Sequence, residues 1–309
     1  EVIRRIESAA ESADADITIT EIGGTVGEYQ NILFLEAVRM MKTKSPDDVA
    51  VVLVSYLPVP GSLGEMKTKP TQYAARTLNS AGVFADVIIA RGPVPLDDKR
   101  KEKIATFCNV CKEHVISAPD VESIYDVPIN FEKDDLGVLL THILNLKNGK
   151  KTNLDRFESF VKKAKSAKKT VNIAIAGKYF KSGEFVLSDV YISVIEALKF
   201  SAYQFGAKPV ITYLNTRDFD KGGNLKALSK FDGILVPGGF GETGIEGKIR
   251  IIEYARTHNI PYLGICYGMQ LMVVEYARHM LGLKDANTHE ISPKAKNLVI
   301  GVMPDQKEK

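Results

Sequence analysis

A cysteine between two glycines, at a point where the hydrophobic pattern changes abruptly, is the feature that most constrains how this chain folds. The apolar run 260–263 leads into Gly264-Ile-Cys266-Tyr-Gly268, and apolar residues then return at helical spacing over 271–277. Such a change predicts a short buried strand that turns directly into a helix. Flanking glycines allow a sharp, strained turn that pushes a nucleophilic side chain outward, so Cys266 is predicted to stand at an exposed elbow.

The predicted elbow also indicates the chemistry of its sulfur. A helix N-terminus carries partial positive charge and unpaired N–H groups, and both stabilise a thiolate. The N–H of Tyr267 is placed to hold a developing oxyanion. The alternative is an inert cysteine that packs as a small hydrophobe. The paired glycines and the strand-to-helix context favour the nucleophile.

A second glycine loop, Pro237-Gly-Gly-Phe-Gly241, follows the apolar strand predicted after Phe231 and precedes the elbow by one strand–helix unit. Glycines let backbone N–H groups approach a ligand closely. We therefore expect Gly239 to supply a second oxyanion donor opposite Tyr267.

Length and composition exclude several classes of protein. A chain of 309 residues is long for one hydrophobic core, which predicts two domains. With 45% hydrophobic and 26% charged residues and a net charge of +3, the chain is neither disordered nor basic enough to indicate a nucleic-acid partner. Three cysteines fit a reducing compartment, so we expect a cytoplasmic protein. No apolar run approaches the ~20 residues of a membrane span.

Strand, loop and helix alternate throughout the chain, which predicts an α/β fold of two domains, each a mostly parallel sheet flanked by helices. In the first half, Asp16–Glu21 alternates like a strand and runs into the glycine loop 23–27, while 49–54 is a continuous apolar run typical of a covered strand. A Lys-rich, polar stretch predicts a linker at 147–169, between domains at 1–146 and 170–309.

Several longer segments resemble one known family. The segment Pro261-Tyr-Leu-Gly-Ile-Cys-Tyr-Gly-Met-Gln270 and the Pro-Gly-Gly loop resemble the class I glutamine amidotransferases. The whole chain resembles the CTP synthase family through further segments: Glu21-Ile-Gly-Gly-Thr-Val-Gly27, Lys67-Thr-Lys-Pro-Thr-Gln72, Phe107-Cys-Asn-Val110, Gly177-Lys-Tyr179 and Ser193-Val-Ile-Glu-Ala-Leu198. This resemblance implies a P-loop-type amidoligase part and a flavodoxin-like glutaminase part.

The resemblance implies a ligase that aminates UTP to CTP, with ATP and Mg²⁺, using ammonia released from glutamine at a cysteine nucleophile. It further implies a homotetramer with GTP as allosteric activator. The mild net charge and the lack of a membrane-length apolar run lead us to expect no nucleic-acid or membrane partner. Two other interpretations are a stand-alone cysteine hydrolase and a non-catalytic module that only binds nucleotide. The first would share the elbow but leave 21–27 and 67–72 unexplained.

By resemblance, each site receives a set of residues. Cys266 is the nucleophile, and the glutamine and oxyanion contacts fall on Gly239, Tyr267, Gly268, Met269, Gln270 and Glu290. UTP, or CTP as inhibitor, falls on Glu28, Tyr29, Gln30, Lys67, Thr68, Lys69, Pro70, Thr71, Gln72 and Lys103. ATP falls on Arg91, Pro119, Asp120 and Val121, and the metal on Glu21.

The residues themselves are compatible with these roles and with simpler ones. Glu21, a carboxylate before a glycine loop, suits Mg²⁺ held with substrate phosphates, or is a solvated strand end. Lys67 and Lys69 suit a triphosphate, or are ordinary exposed lysines. Asp120 is an ATP contact or a helix N-cap. Cys108 and Cys111 form a lone C-x-x-C, interpreted as a structural pair on a helix face.

A cysteine nucleophile needs a histidine base and an acid to orient it. His279 and His289 follow no pattern that ties them to Cys266. By resemblance these partners lie in an H-x-E segment after the elbow, and a P-loop lies near the family's N-terminus. Since neither motif occurs here and the chain begins without Met, we expect a fragment lacking both ends and catalytically incomplete as given.

Overall fold

The computed structural model describes residues 1–61, 64–147, 153–178, 181–182, 185–186, 191–239, 241 and 243–303. It divides into two compact units, Glu1–Val161 and Lys162–Lys309. The predicted linker 147–169 lies across this division, and its residues 148–152 fall outside the described ranges. The domain limits inferred from the sequence stay a prediction.

The first unit alternates helices with three strands. Its elements are α1 (Val2–Ser12), α2 (Ile32–Lys44), β1 (Val52–Tyr56), α3 (Lys69–Ser80), β2 (Val87–Gly92), α4 (Asp98–Cys108), β3 (Val115–Pro119), α5 (Val127–Glu132), α6 (Leu136–Ile143) and the start of α7 (Asp155–Ser166). The strands form a parallel sheet in the order β1-β2-β3, with Val52 opposite Val87 and Ile88 opposite Val115. All three strands therefore end at the same edge of the sheet.

The strand predicted at Asp16–Glu21 does not form, and this prediction was wrong. The segment has no regular structure, and Ile17 and Ile19 are exposed. Alternation suits a strand only where a second strand supplies hydrogen bonds, and no described strand pairs with this one. The glycine loop that follows packs through Ile22 and Val26 against the core of the unit.

The predicted Cys108–Cys111 pair on one helix face is also corrected. Helix α4 ends at Cys108 because Asn109 adopts the left-handed conformation, with φ 60° and ψ 45°. Cys111 therefore lies beyond the helix and is exposed, whereas Cys108 is buried and both thiols are free. Burial raises the pKa of Cys108 to about 11.

The second unit has the same alternation around a larger sheet. Its elements are β4 (Lys169–Gly177), β5 (Lys181–Ser182), β6 (Phe185–Val186), α8 (Ile192–Gln204), β7 (Ala207–Asn215), β8 (Gly233–Val236), α9 (Ile245–Thr257), β9 (Tyr262–Gly264), α10 (Tyr267–His279), β10 (Asn287–Thr288) and β11 (Leu298–Ile300). A four-stranded parallel sheet has the order β7-β4-β8-β9, and its core includes Val236, Ile249 and Leu271.

The α/β class with parallel sheets and flanking helices is confirmed. Some observed elements begin or end a few residues from the predicted positions. Strand β1, for example, begins at Val52 rather than at position 49 because its pairing starts opposite Val87. Within the described ranges, no helix is both long enough and apolar enough to cross a membrane.

Candidate active site

Cys266 occupies a strained turn between β9 and α10. Its backbone has φ 54° and ψ −112°, a combination rarely adopted by a residue with a side chain. The residue is exposed, as expected for a nucleophile elbow. A Cβ on Gly264 would lie 2.6 Å from the carbonyl carbon of Gly268, and one on Gly268 would lie 2.0 Å from the Val236 oxygen. Both glycines are therefore required by the packing of the turn against itself and against β8.

The first turn of α10 closes on the carbonyl of Cys266. The N–H groups of Met269 and Gln270 donate to that oxygen at 3.1 and 3.2 Å. Tyr267 is the first residue of the helix, a position whose N–H has no intrahelical acceptor. Its ring is fully buried, a hydrogen bond of 3.2 Å joins its hydroxyl to Thr288 Oγ1, and burial raises its pKa.

The glycine loop after β8 lies against the elbow. A Cβ on Gly238 would stand 3.3 Å from Cys266 Cβ and 3.5 Å from its Sγ, so the backbone of this loop borders the sulfur. Gly239 has φ 134°, a value that side-chain-bearing residues rarely adopt. The structure thus brings the elbow, with the predicted donor Tyr267, into direct contact with the glycine loop, which has the predicted donor Gly239.

Glu290, which lies 49 residues after Gly241 in the sequence, contacts the same loop. Its Oε1 accepts the N–H of Gly241 at 3.0 Å. The loop is held from another side as well, because Lys178 Nζ donates to the Gly241 carbonyl at 3.5 Å and the Tyr191 hydroxyl donates to the Gly238 carbonyl at 3.4 Å. Sequence reasoning did not single out Lys178 or Tyr191, although Lys178 directly follows the carboxyl end of β4.

Lys248 was missed entirely by sequence reasoning. It lies in the first turn of α9 with none of its surface exposed, and its Nζ has no hydrogen-bond partner among the described residues. The ammonium is 5.8 Å from the centre of the Tyr267 ring. Burial, helped by Lys178, lowers the pKa of Lys248 to about 8, while Cys266 acts in the opposite direction.

No hydrogen bond joins a described histidine to Cys266. His279 ends α10, and its Nδ1 lies 3.1 Å from Oε1 of the buried Glu275, which also binds Arg256. His258 stacks on Tyr254. The described residues therefore offer no contact that assigns a base to the sulfur.

In the first unit, the carboxyl ends of the strands collect the residues predicted for ATP. Gly92 pairs with Pro119, and the N–H of Asp120 donates to the Gly92 carbonyl at 2.8 Å. Arg91 lies beside them, with its carbonyl accepting the N–H of Leu57 at 2.7 Å. Asp120 caps no helix, since Ser123 accepts the N–H of Tyr125 at the turn that follows. Val121 continues the same strand-end segment.

Glu65 is a common neighbour of two residues predicted to bind the pyrimidine nucleotide, Lys67 and Lys103. Lys67 Nζ lies 2.7 Å from Glu65 Oε2, and Arg100 lies 3.9 Å from Glu65 Oε1. The hydrogen bond from Lys67 is the main cause that lowers the pKa of Glu65, and the charges of Arg100 and Lys103 add to it. Lys67 and Lys103 are thus neighbours of one carboxylate. Sequence reasoning missed Glu65 and Arg100, the latter within the conspicuous charged run that opens α4.

The other members of that set begin α3 and are partly engaged in packing. Thr68 and Gln72 are buried and share a hydrogen bond of 3.1 Å, with the amide donating to the hydroxyl. The Thr71 hydroxyl contacts that of Ser55 at 2.9 Å, and Lys69 Nζ lies 5.9 Å from the Phe107 ring centre. Pro70 occupies the first turn, where its missing N–H is tolerated.

The last predicted group surrounds the glycine loop before α2. Glu21, Glu28, Tyr29 and Gln30 are exposed, and no hydrogen bond or ion pair among the described residues joins 28–30 to 67–72. A Cβ on Gly27 would lie 2.8 Å from Thr77 Cγ2, so the loop packs closely on α3. The described part of the chain contains no cluster of three or more His, Cys, Asp or Glu residues able to hold a metal ion.

A strained cysteine elbow bordered by a glycine loop, on a parallel sheet flanked by helices, is the arrangement expected for the second unit of an amidotransferase-class α/β protein. A family model described as Glutamine amidotransferase class-I matches residues 186–305, and one described as CTP synthase N-terminus matches residues 1–146. The chain belongs to the CTP synthase family.

Curated relatives agree over the full chain. It is 45% identical over 309 residues to the CTP synthase of Thermococcus kodakarensis and 44% identical over 308 residues to that of Pyrococcus furiosus. These alignments cover 100% and 99% of this chain but 56% of each relative, so the chain spans about half the length of the curated relatives it matches. A solved structure titled as the glutaminase domain of Trypanosoma brucei CTPS with bound acivicin is 35% identical, with a TM-score of 0.41, covering 45% of this chain and 52% of that one.

Proposed function

We propose that the complete protein aminates UTP to CTP, using ATP and ammonia that Cys266 releases from glutamine. The observation that carries the proposal is the strained, exposed cysteine at the start of α10 with the backbone of Gly238 beside its sulfur. The match of residues 1–146 to a CTP synthase domain argues against a stand-alone cysteine hydrolase.

In the glutaminase step, Cys266 Sγ attacks the side-chain amide carbon of glutamine. The carbonyl oxygen becomes an oxyanion held by the N–H groups of Gly239 and Tyr267, and the collapse of this intermediate expels ammonia and leaves a thioester. Water then hydrolyses the thioester to glutamate and restores the thiol. The Glu290 carboxylate, fixed at the glycine loop, suits the ammonium group of the bound amino acid. Gly268, Met269 and Gln270 complete the segment around the substrate.

In the synthetase step, ATP phosphorylates the 4-oxygen of UTP, and ammonia displaces that phosphate to give CTP. Lys67 and Lys103, which face the same carboxylate, would bind the UTP triphosphate, assisted by 68–72 and 28–30. The strand-end group of Arg91, Pro119, Asp120 and Val121 would bind ATP.

Mg²⁺ fits the exposed carboxylate of Glu21. A Cβ on Gly23, two residues further on, would meet nothing within 4 Å, so the start of the glycine loop leaves room for phosphate groups to approach its backbone. Mg²⁺ is commonly held by one or two carboxylates together with substrate phosphates. When bound, the ion would neutralise phosphate charge. A homotetramer and activation by GTP complete the proposal and rest on family resemblance. The domain limits 1–146 and 170–309 rest on the Lys-rich stretch between them, and a cytoplasmic location rests on the three cysteines.

The test uses the complete protein with Cys266→Ala. We expect CTP formation from glutamine to fall to background while formation from added ammonium chloride remains at the unmodified protein's rate. Cys111→Ala, which removes another exposed thiol, serves as the matched control and should keep both activities. Loss of both activities in Cys266→Ala, in a folded protein, would refute the two-site scheme. Absence of both in the unmodified protein would favour the nucleotide-binding module.

A further inference from the structure

A buried lysine without a hydrogen-bond partner among the described residues lies behind the first residue of α10, and the glutaminase scheme leaves it unused. Lys248 is wholly enclosed, and its Nζ finds no hydrogen-bond partner in the described part of the chain. Removing an ammonium from water without supplying hydrogen bonds is costly. Its place in the first turn of α9 adds to the cost, because the positive end of a helix dipole repels a cation.

Packing alone does not explain a lysine here. A lysine that only fills space usually extends its amine to solvent along an apolar stem. Lys248 has no such outlet, and a methionine would fill a similar volume without a charge to desolvate. The amine therefore calls for an electrostatic role.

The groups around Lys248 indicate which negative charge its ammonium stabilises. Its Nζ lies over the face of the Tyr267 ring, 5.8 Å from the centre. Of the titratable groups that act on it, Lys178 after β4 disfavours the ammonium, whereas Cys266 at the start of α10 favours it. On α9 itself, Glu246 is paired with Arg278. Among the described titratable groups, the elbow sulfur is the one whose charge favours the ammonium, and its helix begins with the Tyr267 ring on which the ammonium lies.

We infer that Lys248 is a positioning residue whose buried ammonium, held behind Tyr267, stabilises the thiolate of Cys266 and the negative charge that develops beside it during attack. This inference rests on the proposed function, since it deepens the role of the same site. It does not depend on glutamine, because a thiolate reacts with any small electrophile.

The inference has a consequence for pH. With its pKa lowered to about 8, Lys248 carries its charge at neutral pH and loses it as the pH rises through that value. The support given to the thiolate is therefore present at neutral pH and fades in mildly alkaline solution.

The experiment alkylates the folded complete protein with iodoacetamide, a neutral reagent, from about pH 6 to about pH 10. This range includes the pH at which an ordinary thiol titrates and the lowered pKa of Lys248. Peptide mass spectrometry follows each cysteine separately. Exposed Cys111 is the internal reference, and buried Cys108 reports any unfolding. Lys248→Met removes the charge at similar volume, Lys248→Arg keeps it at every pH used, and Lys230→Met is the matched control, an exposed lysine 5.1 Å from the Phe231 ring centre.

We expect Lys248→Met to shift the Cys266 profile upward by about one pH unit and to slow its alkylation about tenfold at pH 7, with Cys111 unchanged. At neutral pH, Lys248→Arg should alkylate at Cys266 as fast as the unmodified chain. Above pH 8 the arginine should still stabilise the thiolate, whereas the unmodified chain loses this support. Lys230→Met should match the unmodified chain.

A Cys266 profile in folded Lys248→Met that superimposes on the unmodified one would overturn the inference. If Lys248→Met does not fold, the test rests on Lys248→Arg. A Cys266 alkylation profile of this variant that matches the unmodified chain above pH 8 would then overturn the inference. Failure of the proposed function is separate, because it would appear as loss of the glutamine-dependent activity in the complete protein while the alkylation profiles still respond to Lys248.

Discussion

The N–H of Gly241 donates to the carboxylate of Glu290 at 3.0 Å, joining the glycine loop after β8 to a segment 49 residues further along the chain. The same loop presents Gly238 to Cys266. Glu290 therefore has two roles in the proposed site: it fixes the loop that borders the sulfur, and it supplies negative charge near the substrate.

Two substitutions separate these roles. Glu290→Gln keeps an oxygen that can accept the Gly241 N–H but loses the charge. A hydrogen bond to a charged group contributes about 1.5–3 kcal/mol, so in the complete protein KM for glutamine should rise about tenfold to hundredfold with kcat largely kept. Glu290→Ala should lower kcat as well. Steady-state kinetics measure both, and ammonia-dependent CTP formation is the control. An unchanged KM in the glutamine variant would contradict the substrate contact.

Lys248 makes the stability of the second unit depend on pH. Its pKa is about 8 in the fold against 10.5 for the ordinary side chain, so the unfolded chain binds more protons between these values. The free energy of unfolding should therefore rise with pH across this window, by about 3 kcal/mol at most. Lys248→Met should be more stable at pH 7 and lack this rise. Urea unfolding at several pH values, with Lys230→Met as control, measures the difference, and parallel curves for all three proteins would contradict it.

The backbone of Cys266 stores strain that a glycine would relieve. Cys266→Gly should raise the free energy of unfolding by about 1–3 kcal/mol, because φ 54° with ψ −112° is open to glycine at little energy, while Cys266→Ala should not. Asn109→Gly, at an ordinary left-handed helix end, should gain less. Denaturant unfolding tests the order, and equal stabilities of the Cys266→Gly and Cys266→Ala variants would show that the turn is unstrained.

Gly268 is required by contact rather than by backbone angle. A Cβ there would lie 2.0 Å from the Val236 oxygen, and neither backbone can withdraw without disturbing the elbow. Gly268→Ala should lower the free energy of unfolding by at least about 3 kcal/mol. Gly222→Ala, where a Cβ meets nothing within 4 Å, should change it by about 0.5 kcal/mol or less. Similar stabilities of the two variants would refute the close packing of the turn on β8.

Arg256 neutralises a carboxylate with almost no exposure. Glu275 receives hydrogen bonds from Arg256 at 2.8 to 3.1 Å, and these raise the pKa of the arginine. Arg256→Leu should cost about 3–5 kcal/mol, since it removes the arginine charge from a buried carboxylate and leaves it with the contact to His279 Nδ1 at 3.1 Å. The double variant Arg256→Leu with Glu275→Leu should cost clearly less. A double-mutant cycle measures the coupling, and additive losses would contradict it.

The elbow could be predicted because its signals are local: two glycines, one cysteine and a change of hydrophobic period within a dozen residues. The strand at Asp16–Glu21 was predicted on equally local grounds and does not form, because a strand depends on a partner elsewhere in the chain. Lys248 shows the same limit. Its sequence context is that of an ordinary helix start, and its burial follows only from the packing of α9 against α10 and the elbow.

The segment from Thr288 to Glu290 is bonded to both elements that are proposed to form the oxyanion pocket. Thr288 bonds the hydroxyl of Tyr267, while Glu290, two residues on, bonds the N–H of Gly241. The side chain of Tyr267 and the glycine loop that contains Gly239 are thus both bonded to the same three residues. A substitution in this short segment would therefore act on both elements that carry the expected oxyanion donors, although it touches neither donor itself.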